Sequence, residues 1–174
     1  KWSALIGTTF ENRSQDVFSL TVSNFLSNDF IFNLANGKNK QITNDSESVY
    51  RYTAIFGRLN YIYNDKYIAN ITGRRDGSSR LGINNRFGNF GAIGVAWLFS
   101  KEKIFEDNSW FSFGKFRASY GIAGSDLIGD YQYLNSFGIS NEKYDGVVGL
   151  EPLRLYNPDF SWENNKKLEV ACEI

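Results

Sequence analysis

The chain contains no histidine, no methionine, one cysteine (Cys172) and two prolines in 174 residues. Without histidine there is no Ser-His-Asp or Cys-His pair and no imidazole-bound zinc. A lone cysteine cannot close an internal disulfide. An excess of one charge is lacking too: 19 Lys+Arg balance 19 Asp+Glu, so no net field draws the chain to nucleic acid. Long apolar runs are missing. The longest stretch without a polar side chain is 90–99, far short of the roughly 18 residues of a membrane-spanning helix. No charged stretch followed by an apolar one opens the chain as a signal peptide would. With no methionine and Lys1 in first place, the expectation is a segment of a longer product.

Signatures of cofactor chemistry are absent as well. Gly37-Lys38 and Gly114-Lys115 are not followed by Ser or Thr, and no G-x-G-x-x-G occurs. Asp126, Asp130, Glu142 and Asp145 are not spaced as in a calcium loop and read as solvated charges. No pair of carboxylates stands out for acid–base work. The expectation is a chain with no cofactor and no enzymatic role.

What is abundant is aromatic: 17% of residues, with 16 glycines. A mean hydropathy of −0.37 suits a soluble domain. It suits a membrane β-barrel equally well, because lipid-facing apolar and lumen-facing polar residues alternate and cancel.

Pattern separates the two. Six segments, about 1–11, 49–63, 67–76, 88–100, 111–121 and 161–174, alternate at the strand period of two. Ile55, Gly57, Leu59 and Tyr61 oppose Arg58 and Asn60. Tyr67, Ala69 and Ile71 oppose Asn70, Thr72 and Arg74. Ile93, Val95 and Trp97 share one face of the fourth segment. In the last two, Phe116, Ala118 and Tyr120 oppose Lys115 and Arg117, and Leu168, Val170 and Ile174 oppose Lys167 and Glu169. The connections run long (12–48), short (64–66), middling (77–87), short (101–110) and long (122–160). A meander built this way gathers its short turns at one end, as outer-membrane barrels do. Tyr61, Tyr63, Tyr67, Trp97, Phe99, Trp110 and Phe111 flank the short connections. They fit an interfacial aromatic girdle or the core of a soluble β domain, and the loop asymmetry favours the girdle. A three-residue turn at 64–66 keeps like faces together and predicts the pairs Tyr63–Tyr67, Tyr61–Ala69, Leu59–Ile71, Asn60–Asn70 and Arg58–Thr72.

The expected fold is therefore all-β: an antiparallel up-and-down meander forming about six strands in the wall of a large transmembrane barrel. Outward positions are Ile55, Leu59, Tyr61, Ala69, Ile71, Ile93, Val95, Phe116, Ala118, Val170 and Ile174. Lumen positions are Arg58, Asn60, Asn70, Thr72, Arg74, Lys115, Arg117, Lys167 and Glu169. In the tract Arg74-Arg75-Asp76-Gly77-Ser78-Ser79-Arg80, the strand is expected to end at Asp76, with Gly77 supplying a permissive backbone angle. Ser78 and Ser79 would satisfy turn amides, and Arg74 would pair with Asp76 on the lumen face. A competing reading is a soluble β-sandwich that holds a glycan on Tyr131, Tyr133, Tyr144 and Tyr156; a second sheet would then cover the odd-numbered residues of 55–73. The wall of a passive porin is a third.

Several short motifs, in order, resemble those of SusC/RagA-type TonB-dependent outer-membrane transporters. They are Arg58-Leu59-Asn60-Tyr61, Asp65-Lys66-Tyr67, the tract 74–80, Ala96-Trp97, Phe116-Arg117-Ala118-Ser119-Tyr120-Gly121, Gly129-Asp130-Tyr131-Gln132-Tyr133 and Asn157-Pro158-Asp159-Phe160-Ser161-Trp162-Glu163. The likeness runs from about Val49 to the end and is looser over 1–48. Gly91 stands where the family usually has a proline, and the 122–160 loop is this chain's own. The resemblance implies a plugged barrel of about 22 strands in the outer membrane of a Gram-negative, Bacteroidota-type bacterium. It implies import of oligosaccharides or peptides, a SusD-like surface lipoprotein as partner, and energy from the TonB-ExbB-ExbD complex. The 1–174 segment would be barrel wall only, in contact with outer-membrane lipid and carrying neither plug nor TonB-contacting region.

Overall fold

The computed structural model describes residues 1–105 and 112–174. Eight strands appear in chain order: β1 (Trp2–Ser23), β2 (Asn39–Tyr63), β3 (Tyr67–Ser78), β4 (Phe87–Trp97), β5 (Lys115–Ser125), β6 (Ser136–Tyr144), β7 (Val147–Arg154) and β8 (Glu163–Glu173). The main sheet has the order β1-β2-β3-β4-β5-β8, and β6 with β7 forms a separate hairpin. The six expected strands are all in the main sheet.

Two stretches differ from expectation. The connection 12–48 shrinks to 24–38, because β1 and β2 extend to 22 and 25 residues. Both exceed the roughly 9–11 residues that cross a bilayer. The 122–160 connection contains β6 and β7. Their link is Asp145-Gly146, with φ of 49° and 77°. Two consecutive left-handed residues make the primed turn that matches strand twist.

Residue contacts divide the chain into two units, 1–11 with 51–174, and 12–50. In the 12–50 unit, two single 3-10 turns bridge the strands. Ser27 Oγ accepts from the Asp29 amide and Asn33 Oδ1 from the Ala35 amide, each capping its turn. The Arg13 guanidinium lies 5.8 Å from the Tyr50 ring centre.

In the larger unit the pairing is antiparallel and in the expected register. The 64–66 turn sets Tyr63 opposite Tyr67, Tyr61 opposite Ala69, Leu59 opposite Ile71, Asn60 opposite Asn70 and Arg58 opposite Thr72. Asn64 and Asp65 take φ of 49° and 52°, a region their short polar side chains tolerate. The register continues across the sheet, so Leu59, Ile71, Ile93, Tyr120 and Leu168 form one row. Tyr61, Ala69, Val95, Ala118 and Val170 form the next.

Among the described residues no second layer covers these rows. Ile55 is 50% exposed, Ile71 52%, Ile93 51%, Val95 51% and Val170 58%. The sandwich reading required a cover over residues 55–73, so it fails here. Burial is instead concentrated at the long-connection end, where Leu81, Phe90 and Trp162 cluster with Tyr52, Ile122, Ile128 and Phe160 around them.

Candidate functional site

The polar face gathers its charges at two levels. Arg117 on β5 donates from Nε to Glu173 Oε1 at 2.8 Å and from Nη1 to Glu169. Lys115 lies 3.5 Å from Glu173 and Lys167 3.6 Å from Glu169, so two strands carry one ladder of alternating charge. The pairing follows from register, because Lys115 opposes Glu173 and Ser119 opposes Glu169, with Arg117 between them. Asn60, Asn70, Gly94 and Ser119 form a cross-strand row beside it, and Arg58, Thr72, Ala92, Gly121 and Lys167 form another.

The second level is the tract 74–80. Arg74 Nε donates to both carboxylate oxygens of Asp76, at 2.9 and 2.8 Å, and its Nη2 donates to the Tyr52 hydroxyl at 2.7 Å. Asp76 is buried while Arg74 remains exposed. Contrary to expectation, β3 does not end at Asp76 and Gly77 has no left-handed φ. Space instead favours glycine: a Cβ at Gly77 would sit 2.6 Å from the Phe87 ring and 3.2 Å from Thr53 Cγ2, so the half-exposed Phe87 ring would have to shift. The serines do satisfy amides, since Ser78 Oγ accepts from the Arg80 amide and Ser79 Oγ from the Arg51 amide. Ser78, almost wholly buried, also donates to Asp126 at 2.6 Å, and Arg80 Nε donates to Asp130 at 2.8 Å. The tract therefore ties the β3 end to the segment after β5, pinning the start of the 126–162 connection. Asp126 and Asp130 are structural partners here, and no metal-ligand cluster is found among the described residues.

The loop tyrosines do not converge. Tyr131 has a φ of 58°. It shares a turn with Tyr133 that Arg154 holds by donating to the Leu134 and Tyr131 carbonyls and to Gln132 Oε1. Tyr133 is half-buried, and its carbonyl accepts from the Asn157 amide next to Tyr156. Tyr144 is 90% exposed at the opposite end of the β6–β7 hairpin. No four-ring platform forms.

At the short-turn end the aromatics form a continuous ribbon. Ring centres are separated by 4.1 Å for Trp2–Tyr61, 6.4 Å for Tyr61–Tyr63 and 6.3 Å for Tyr63–Tyr67. Tyr67–Trp97 at 6.5 Å, Trp97–Phe99 at 5.9 Å and Phe99–Phe105 at 6.1 Å continue it. Trp110 and Phe111 lie outside the described residues. Glu102, unremarked in the sequence, is the polar hub: its Oε1 accepts from Trp97 Nε1 and Tyr67 OH, and its Oε2 pairs with Lys66. These donors, Trp97 first, hold the Glu102 carboxyl below the usual glutamate range. Amphipathic rings at strand ends with anchored polar tips are the arrangement of a membrane interface.

The chain is 31% identical over 175 residues to TonB-dependent receptor P26 of Formosa agariphila, covering 98% of this chain and 18% of the relative. It is 34% identical over 125 residues to TonB-dependent receptor SusC of Bacteroides thetaiotaomicron, covering 68% of this chain and 12% of the relative. Among solved structures, the RagAB peptide transporter superposes with a TM-score of 0.82 at 28% identity, over 98% of this chain and 19% of that one. The chain belongs to the SusC/RagA-type TonB-dependent transporters. Within that family it supplies barrel wall, and it spans less than a fifth of the length of these relatives. No protein-family model matches it.

In this SusC/RagA-type wall, the sequence motifs fall where register makes them neighbours. Of the residues singled out from sequence, Arg58, Asn60, Arg74, Asp76 and Arg117 share the polar face, while Gly77, Ser78 and Ser79 close its long-connection end. Sequence reading missed Tyr52, Asp126, Asp130 and Glu102 as partners. Only the Glu102–Trp97 contact is local, and a carboxylate next to a girdle was the available signal; Lys66 and Tyr67 reach Glu102 across 36 and 35 residues. The others meet across 22 to 50 residues of chain.

Proposed function

We propose that the protein carrying this chain is an outer-membrane TonB-dependent importer of nutrients, oligosaccharides or peptides, in a Gram-negative bacterium. In this reading the apolar rows face bilayer lipid, and Arg58, Asn60, Arg74, Asp76 and Arg117 line the lumen. A SusD-like lipoprotein closes the outer face, and TonB-ExbB-ExbD drives uptake through parts of the protein beyond this wall. The observation that carries the reading is the uncovered apolar face: its rows stay in register over five strands and end in an anchored aromatic ribbon. A soluble module exposing such a patch would aggregate, whereas a barrel wall requires it.

The test is uptake by cells. Deleting the gene should abolish accumulation of fluorescent oligosaccharides or of fluorescent peptides, and collapsing the proton gradient in wild-type cells should do the same. Accumulation unaffected by either treatment would reject an energised importer. Which cargo is lost decides between the two classes.

A further inference from the structure

We propose that Arg75 holds the phosphate of an outer-leaflet lipid headgroup and so fixes the depth at which this wall sits in the membrane. The proposal rests on the assignment of the apolar face to the bilayer. Within the tract 74–80, Arg74 and Asp76 occupy the polar face. Strand alternation turns Arg75 the other way, onto the face of Tyr67, Ala69 and Ile71.

That face changes character at Arg75. The row of Leu59, Ile71 and Ile93 is followed by Gly57, Gly73 and Gly91, and then by Ile55, Arg75 and Asn89. Arg75 lies eight residues along β3 from Tyr67 of the aromatic ribbon, about 26 Å of strand and about 20 Å of depth at a tilt of ~40°. The length of its own side chain completes the ~25 Å apolar band and brings the guanidinium to the opposite headgroups.

The guanidinium is held in place without being neutralised. It lies 5.0 Å from the centre of the Phe87 ring, and Nη1 donates to Asn89 Oδ1 at 3.4 Å. The ring has its room because Gly77 lacks a Cβ, which would come within 2.6 Å of it. Arg75 has no carboxylate partner among the described residues, and its same-face neighbours Thr53, Ile55, Phe87 and Asn89 carry no acid. The connection containing 106–111 leaves β4 beyond Trp97, opposite Tyr67 at the far end of β3. An arginine has five donors in a planar fork, and one long hydrogen bond leaves most of them unmatched. At the rim of a lipid-facing surface, the group that complements such a fork is a phosphate.

The test uses the full-length transporter, purified and stripped of lipid, titrated by native mass spectrometry with phosphatidylglycerol or with diacylglycerol of the same chains. Arg75→Gln should weaken the first phosphatidylglycerol about fivefold, the worth of one basic group at an anionic surface, and leave diacylglycerol unchanged. Arg75→Lys, which keeps the charge and gives up the fork, should lose less. Wild-type affinity for phosphatidylglycerol in Arg75→Gln, or an equal loss for diacylglycerol, overturns the proposal. So does loss of a co-purifying protein with phosphatidylglycerol binding intact, which would give the guanidinium to a protein contact. If the site fails in one of these ways while a charge at Ile71 still blocks membrane insertion, the site is rejected and the wall assignment stands.

Discussion

Arg74 grips Asp76 through a single nitrogen: Nε lies within 2.9 Å of both carboxylate oxygens, which frees Nη2 to reach the Tyr52 hydroxyl. The two partners are unequally placed, with side-chain exposures of 46% for Arg74 and 6% for Asp76. Removing the arginine strands a buried carboxylate. Removing the acid leaves a guanidinium that water can reach. Arg74→Ala should therefore cost about 2 kcal/mol, below the ~3–5 kcal/mol of a fully enclosed pair, and Asp76→Asn about half as much. Urea unfolding of the full-length protein in lipid vesicles measures both. An equal or reversed order would show that Asp76 is not held by Arg74.

The two faces of β3 make a sharper comparison. Ile71 and Thr72 are adjacent, yet one belongs to the apolar rows and the other to the row of Arg58. Ile71→Lys should cost roughly 2–4 kcal/mol if the site lies near the bilayer midplane, and Thr72→Lys close to nothing. Insertion efficiency into vesicles, measured by the shift of folded barrel on gels, reads the difference.

Acid should loosen the aromatic ribbon. Glu102 titrates below the ordinary glutamate range because Trp97, Tyr67 and Lys66 bind its charged form. Its contribution is then fully present above the ordinary value of 4.5 and fades as pH falls through the lowered one. Trp97 side-chain NMR should show the indole N–H signal moving only below about pH 4.5, the ordinary glutamate range. In Glu102→Gln that step should be absent.

Expressed alone, residues 1–174 should not give a soluble monomer. The main sheet ends in the open strands β1 and β8 and carries an uncovered apolar face. Gel filtration without detergent should show aggregate, and a sharp monomer peak with cooperative melting would contradict the wall assignment.

Residues carrying a clean alternation were legible in advance. The hairpin from Arg58 to Thr72 was readable to the residue, because a slip of one would turn Leu59 and Ile71 away from each other and expose polar groups to the wrong side. Phe18, Leu20 and Val22 alternate just as clearly against Ser19 and Thr21, and Asp145-Gly146 is a hairpin turn by composition; both signals lie inside the long connections 12–48 and 122–160. By contrast, 39–48 is polar on both faces apart from Ile42, and Pro152 inside β7 speaks against a strand until that strand proves to be an edge.

The sequence by itself determined the period and the faces of the main-sheet strands and the register of the hairpin about Tyr63 and Tyr67, since these follow from side chains one to a few residues apart. It also carried the ordered motifs of the SusC/RagA-type family. Only the tertiary structure decided which polar groups meet: Ser78 with Asp126, Arg80 with Asp130, Arg117 with both Glu169 and Glu173. Those partners are 48 or more residues apart in the chain, and a charge can be satisfied by any of several opposite charges until strand order and loop path fix its neighbours.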